Sequence, residues 1–321
     1  MTAAFGVFRS VEEASGAMAP SVLTIGNFDG FHLGHQELLR RLCRHGARLG
    51  VKASLVTFDP HPAKVVAPHR APRLLSTIDQ RLGWMRAAGL EQALVVPFTM
   101  EFARWSPEEF VERVLIAAAG ARVVLVGENF RFGRAQAGDT ELLARLGQRF
   151  GFATEIVPGV VYRGHMVSST AVRGMLDRGD VSWAARLLGR PYALEGTVVS
   201  GHGIGSRQTV PTLNLHTAAE VLPARGVYIT ETSEVGGARR WQSVTNVGYR
   251  PTFDGRELTV ETFLLEPLGG ETPRWISVAF HRRLRAERKF AGASALKAQI
   301  LRDVERAQTY FRRRRRWCNK T

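Results

Sequence analysis

The sequence predicts two domains: an α/β domain built on a doubly wound parallel sheet, then an antiparallel β-barrel carrying a terminal helix. Three observations predict it. Up to about Leu188, short apolar runs rich in β-branched residues alternate with amphipathic helical stretches, the pattern of a parallel sheet covered on both faces. From Glu195 onward, strand-like runs are separated by Gly, Pro and charged turns, with no helical stretch between them. One long amphipathic stretch then follows. The length of 321 residues suits two domains at about 150 residues each. The pattern changes at Leu188–Ala193, which sets the domains as 1–188 and 189–321.

The runs Val22–Ile25, Ala53–Phe58, Ala93–Pro97, Val123–Val126 and Thr154–Val157 read as the strands of the first domain. The helical stretches that alternate with them are Gly34–His45, Thr77–Ala88, Pro107–Ala119 and Thr140–Phe150. Ser106-Pro107 puts a capping residue before Pro at the first helical position, with Glu108 and Glu109 in the first turn. Ser76-Thr77 opens another helix. The second domain offers strands at Gly196–Ser200, Thr212–Leu215, Val227–Thr232, Trp241–Val247, Leu258–Leu265 and Trp275–His281. In Ala293–Phe311 the residues Leu296, Ile300, Val304 and Ala307 fall on one helical face. No internal repeat is visible.

Hydrophobic residues at 45% and charged residues at 23% exclude wholesale disorder. The isolated Cys43 and Cys318 make neither a disulfide framework nor a zinc site, so the chain reads as cytoplasmic. No apolar signal core and no run of about 18 apolar residues occurs, so no membrane partner is expected. The net charge of +15 is mostly arginine and is concentrated in two patches, His281–Phe290 and Arg312–Thr321. A basic tail of this kind contacts nucleic acid or acidic surfaces, or is a solvated face. Nothing in the sequence sets the oligomeric state, and a homo-oligomer stays open.

The most informative segment is SVLTIGNFDGFHLGHQELLRRL, Ser21–Leu42. A strand ends, a Gly-containing turn follows and a helix begins, which is where an open α/β sheet binds ligands and a helix N-terminus receives phosphate. His32 and His35 are three apart and point the same way in the first turn, and Gly34 lets a ligand approach the backbone. Two imidazoles beside an anion-binding turn suit nucleotidyl transfer, where donors stabilise charge developing on the α-phosphate.

In the second domain, GHGIGSRQTVPTLNL (Gly201–Leu215) makes a tight turn whose glycines, Gly203 and Gly205 among them, present N–H groups to an anion. Thr212 and Asn214 share a strand face and offer hard oxygen ligands suited to Mg²⁺ beside ATP phosphates. Composition alone leaves a surface hairpin equally open.

GNFDGFHLGH (Gly26–His35) resembles the H-x-G-H signature of the nucleotidylyltransferase superfamily, in the form found in bacterial bifunctional riboflavin kinase/FAD synthetases. TFDPHP (Thr57–Pro62), GENFRFG (Gly127–Gly133) and SSTAVR (Ser168–Arg173) resemble the same family. So do the Pro-Thr-x-Asn core at Pro211–Asn214, GVY (Gly226–Tyr228), NVGYRPTF (Asn246–Phe253), VET (Val260–Thr262) and RLRAERKF (Arg283–Phe290). The resemblance spans roughly Val7 to Phe311.

The resemblance implies a Rossmann-like FMN adenylyltransferase domain and a riboflavin kinase barrel. These would use riboflavin, FMN, FAD and ATP as substrates and products, with Mg²⁺. It implies His32, His35, Arg173 and Glu261 as catalytic residues, Glu261 being the base that takes the ribityl hydroxyl proton. It implies ATP contacts from Gly26, Phe28, Asp29, Gly34, Ser169 and Thr170, Gly203 and Gly205 doing so in the barrel, and a flavin pocket from Pro60, Pro62, Asn129 and Phe132. Asn129 would read the flavin edge and Phe132 would pack on the rings. His61 would touch the substrate phosphate.

Three positions depart from the family pattern. Ser206 stands where arginine is usual, with Arg207 one place later. Thr209 replaces a glycine, and Phe263 stands where histidine is usual. They leave open a synthetase whose barrel only binds flavin. The residues alone also leave open an RNA-binding protein using the arginine tail, and a cytidylyl or pantetheine-type transferase.

Overall fold

The computed structural model describes residues 5–18, 20–199, 212–252, 255–288 and 290–318. The motif residues Gly203, Gly205, Ser206, Arg207 and Thr209 lie outside them. The chain forms two compact units, Met1–Ser169 and Thr170–Thr321.

The first unit holds a six-stranded sheet: β1 (Gly6–Phe8), β2 (Ser21–Ile25), β3 (Lys52–Asp59), β4 (Gln92–Pro97), β5 (Ala121–Gly127) and β6 (Ala153–Val157). The strands are all parallel, in the order β1-β4-β3-β2-β5-β6. The five expected strands are all present. The three-residue edge strand β1 was too short to show a pattern. Its helices are α1 (Val11–Ala14), α2 (Leu33–Leu49), α3 (Pro62–Val66), α4 (Ile78–Ala87), α5 (Pro107–Phe110, continuing as a π-helix over Val111–Ala118) and α6 (Thr140–Phe150).

The near-continuous apolar strands follow from two cores. Leu23, Ile25, Val56, Val124 and Val126 pack under α5, its π-helical extension and α6, through Phe110, Val114, Leu143 and Leu146. Val22, Leu55, Val95, Val123 and Leu125 pack under α2 and α4, through Leu38, Leu42, Leu82 and Met85. Alternate residues of one strand thus serve opposite faces. Capping boxes at Thr77 with Gln80, and at Ser106 with Glu109, start α4 and α5 where the sequence placed caps. A short antiparallel pair, β7 (Val161–Tyr162) with β8 (His165–Met166), follows β6.

The second unit begins within α7 (Ser169–Asp177) and continues through α8 (Val181–Leu188). The periodicity grouped these helices with the α/β half, because helical pattern resembles helical pattern. In space they pack on the barrel: Ala224 N donates to Leu176 O at 2.9 Å, and Ser182 Oγ donates to His281 O at 2.9 Å.

The barrel strands are β9 (Tyr192–Val199), β10 (Thr212–His216), β11 (Gly226–Glu234), β12 (Arg240–Thr252), β13 (Gly255–Leu264) and β14 (Trp275–Arg285). They close antiparallel in the order β10-β13-β12-β11-β14-β9. Fully buried hydroxyls form a chain across three strands: Thr232 to Ser243 at 2.8 Å, Ser243 to Thr230 at 2.8 Å, Thr230 to Thr245 at 2.7 Å and Thr245 to Thr262 at 3.0 Å. Satisfying one another is what makes burial of these groups tolerable.

The terminal helix α9 (Ala293–Cys318) runs seven residues past the expected Phe311. Its packed face also differs from the expected apolar stripe. Gln299, Asp303, Ala307 and Phe311 are buried at four-residue spacing, while Leu296 is 42% exposed. Two polar residues occupy the core side because Arg285 Nε donates to Asp303 Oδ2 at 2.9 Å and Gln299 Nε2 donates to Asp303 Oδ1 at 2.8 Å. Periodicity of apolar residues cannot register a buried polar network.

Candidate functional site

In the first unit, β2 ends at Ile25 and the chain turns through residues 26–31 before α2. Phe28 and Phe31 take positive φ, +50° and +39°, and both are buried. Such backbone is strained for a non-glycine residue and is held by its surroundings. The Asp29 carboxylate supplies part of that hold. It accepts from Leu75 N at 2.9 Å, and from Ser76 N and Oγ at 3.1 and 3.2 Å. Gly30 N donates to Ser76 Oγ at 2.9 Å. The carboxylate of Asp29, expected as an ATP contact, therefore ties the turn to the segment before α4.

His32 is the N-cap of α2, and its Nδ1 accepts from His35 N at 3.4 Å. The two imidazoles stack with ring centroids 3.6 Å apart and 18° between planes. Phe28 packs on His35 at 4.9 Å. Burial pushes His35 well below its usual pKa, with the charges of His32 and Arg81 acting in the same sense, so His35 is neutral at pH 7. Its Nδ1 and the Asn27 Oδ1 are buried, with no hydrogen-bond partner among the described residues. Buried polar atoms of this kind call for an explanation, and a ligand is one. Arg81, buried in α4, donates to the Asn27 carbonyl and, at 3.2 Å, to Thr77 O. Sequence reasoning passed over Arg81. The signal was a charged residue beside core-facing Leu82 and near Met85.

A cavity of about 890 Å³ lies beside this turn. Gly26, His61, Pro62, Asn129 and Phe132 line it; Pro60 does not. Phe130 stacks on Phe132 at 5.5 Å and 14°, and Phe58, Phe98, Phe102 and Trp105 complete an aromatic wall. Arg70, Arg104, Arg131 and Arg134 also line it, brought together from the three connections β3–α4, β4–α5 and β5–α6. His61 caps α3 through Nδ1, which accepts from Ala63 N at 3.2 Å. Gly133 has φ +71°, and a Cβ there would meet Pro107 N at 2.7 Å, so this last residue of GENFRFG must be glycine.

Ser169 is the first residue of α7, and its Oγ donates to Asp29 O at 2.8 Å. Thr170 is exposed, and Arg173 lies one helical turn beyond Ser169.

In the barrel unit, Asn214 pairs in register with Glu261, and Glu261 with Asn246 across the next strand. The carboxylate is therefore flanked by two amides on one row. Thr212 lies opposite Phe263. A cavity of about 270 Å³ is lined by Asn246, Glu261 and Phe263 with Phe290, Leu296, Ile300 and Val304. Phe263, where the family has histidine, is thus part of an apolar wall. Arg288 sits over the Phe290 ring at 4.8 Å. No cluster of three or more His, Cys, Asp or Glu able to hold a metal occurs among the described residues. The hydroxyl and amide oxygens of Thr212 and Asn214 suit a hard cation that arrives with phosphates.

The FAD synthetase family model matches residues 15–171 and the riboflavin kinase model matches 188–311. A bifunctional riboflavin kinase/FMN adenylyltransferase of Pseudomonas fluorescens is 36% identical over 288 residues, covering 89% of this chain and 92% of its own. The protein of that name from Escherichia coli is 34% identical over 290 residues, with 90% and 92% covered.

The chain belongs to the bifunctional riboflavin kinase/FMN adenylyltransferase family.

A crystal structure of a Streptococcus pneumoniae chain described as a macrolide-efflux protein shares the fold, with a TM-score of 0.84 and 27% identity over 94% of this chain and 98% of that one. No helix among the described residues is long and apolar enough to cross a membrane. Both family matches end before Arg312, and neither covers residues 172–187. Arg173 and the arginine-rich end of α9 are therefore outside the matched spans.

Proposed function

We propose that the chain makes FMN from riboflavin and ATP in the barrel unit, and FAD plus pyrophosphate from FMN and ATP in the α/β unit. The observation that carries the second step is the stacked, buried His32–His35 pair at the N-terminus of α2, beside a large aromatic cavity. An FMN phosphate oxygen attacks the α-phosphorus of ATP, the bond to the bridging oxygen breaks and pyrophosphate leaves. His32 and His35 donate to the α-phosphate oxygens as charge develops there, and the backbone at Gly26 and Gly34 admits the phosphates. Ser169 and Thr170 at the start of α7 contact phosphate oxygens, with Phe28 seating His35 and Asp29 holding the turn. Arg173 holds the leaving pyrophosphate. Asn129 and Pro62 meet the flavin edge, and Phe132 with Phe130 its rings; Pro60, which does not line the cavity, is left out of this pocket.

In the barrel, Glu261 accepts the proton of the ribityl hydroxyl as that oxygen attacks the γ-phosphorus and ADP leaves. Asn214 and Asn246 flank the carboxylate and orient it. Thr212 and Asn214 would hold Mg²⁺, which neutralises charge on the ATP phosphates when bound; Gly203 and Gly205, the expected phosphate contacts, lie outside the described residues. We assign residues 1–188 to the adenylyl step, although α8 within them packs on the barrel, and 189–321 to the kinase step, in a cytoplasmic enzyme supplied with ATP.

Chromatography of flavin products tests this. Riboflavin with ATP and Mg²⁺ should give FMN and FAD. His35→Ala should stop at FMN, and Glu261→Gln should convert added FMN to FAD but make no FMN. Loss of both activities in either folded variant overturns the assignment to separate sites. Normal FMN formation by Glu261→Gln rejects it as the base.

A further inference from the structure

The barrel unit has another cavity that neither reaction uses. It has a volume of about 620 Å³ and is walled by α8, β14 and α9 through Ser182, Arg186, His281, Arg282, Tyr310 and Arg314. Ten residues of α9 separate Ile300, in the Glu261 cavity, from Tyr310, which is about 15 Å of helix. Three guanidinium groups converge on this concavity, and no carboxylate lines it. None of the three forms an ion pair with a carboxylate among the described residues. Like charges gathered this way repel one another, and an anion between them relieves that repulsion.

The site is also built. His281 is fixed at its backbone, where its carbonyl accepts from Ser182 Oγ at 2.9 Å. Its ring contacts Tyr310 and Phe311, each with centroids 6.0 Å away. Burial, and secondarily the Arg314 charge, push its pKa down to about 4. The neutral ring therefore accepts from Arg314 Nη1, 3.2 Å from Nε2, and holds that guanidinium at the cavity. Arg186 is braced over the Trp183 ring at 4.9 Å. Ser182, Arg186 and Arg314 lie outside both spans matched by the family models.

We propose that this cavity is a second anion site that binds a polyphosphate group, as inorganic pyrophosphate or as the phosphate tail of a nucleotide, through Arg186, Arg282 and Arg314. Guanidinium forks match phosphate oxygens bidentately. A concavity enclosed by two helices and a strand fits a compact anion better than an extended nucleic-acid strand.

The full chain labelled with ¹³C-histidine tests it, with the His281 signal assigned by comparison with His281→Gln. Pyrophosphate, ATP and adenosine are titrated separately at pH 7, without Mg²⁺ and at low salt. Pyrophosphate or ATP should shift the His281 signal saturably, the lower half-saturation identifying the source of the phosphates, and adenosine should not shift it. In Arg282→Gln/Arg314→Gln the half-saturation should rise tenfold or more. The other histidine signals report that this variant is folded, and its FMN and FAD formation should stay normal. A His281 signal unmoved by millimolar pyrophosphate and ATP overturns the proposal, as does a shift with adenosine or an equal shift in the double variant. A shift caused by a single-stranded oligoribonucleotide but by neither small anion also overturns it, in favour of a nucleic-acid surface.

Discussion

Gly34→Ala separates the needs of folding from those of the adenylyl step. Gly34 is the second residue of α2, between the two histidines. A Cβ built there lies 3.2 Å from both His32 Cε1 and His32 Nδ1, and 3.8 Å from Val167 O. The ring must give way by a few tenths of an ångström. It is already stacked at 3.6 Å on His35 and caps α2 at 3.4 Å, so its retreat changes both contacts. Alanine in a helix is worth about 0.5–1 kcal/mol over glycine, and a weakened cap costs about the same. Folding stability should therefore change by no more than about 1 kcal/mol. Catalysis has no such compensation, since the ring that must move belongs to His32, the proposed donor to the α-phosphate. Misplacement of a reacting group by up to an ångström costs as much as about 10²-fold. FAD formation should fall about 10- to 100-fold, and FMN formation should stay normal. Flavin chromatography gives the two rates, and thermal unfolding followed by circular dichroism gives the stability. Unchanged FAD formation in the folded variant would refute the argument that the backbone at Gly34 must be open.

Asp29→Ala strands the buried N–H groups of Leu75 and Ser76 and should cost about 3 kcal/mol, at roughly 1–3 kcal/mol for each unsatisfied group. Asp29→Asn, which keeps an acceptor oxygen, should lose less in urea unfolding. Thr245→Val removes the hydroxyl that bonds both Thr230 and Thr262, and should lower stability by about 1–2 kcal/mol despite equal volume, with the unfolding midpoint as readout. His35 and His281 both have folded pKa values below the unfolded value of about 6.5, His281 at about 4. The unfolded chain then binds more protons at these positions, so stability is retained above about pH 6.5 and falls as pH drops through the window down to about 4. The urea midpoint should be lower at pH 5 than at pH 7, and His35→Gln should narrow the difference.

Much of the fold was legible because it is written locally. Period-two and period-3.6 patterns, the caps at Ser106 and Thr77, and the turn glycines each constrain a few neighbouring residues, and the five main sheet strands and six barrel strands follow from them. The family strings are local for the same reason, since His32, Gly34 and His35 sit in one short segment. What escaped lay in contacts between segments distant in sequence. Arg70, Arg104, Arg131 and Arg134 reach one cavity from three separate connections, and Arg81 reaches the Asn27 carbonyl across 54 residues. The face of α9 was misjudged because Asp303 and Gln299 are buried only through Arg285 and the network around them.

The sequence by itself determined the two architectures and the family, and it named the candidate residues of each site. The tertiary structure decided the surroundings of those residues. Asp29 spends its carboxylate on holding a strained turn, and His35 is neutral because the fold buries it against His32 and near Arg81. The arginine tail, which the sequence offered only as a charge total, places Arg314 at a cavity with Arg186 and Arg282. The physical reason is common to all three. Burial, pairing and charge balance depend on which distant groups the sheet order and the barrel closure bring together, and local pattern carries no record of that.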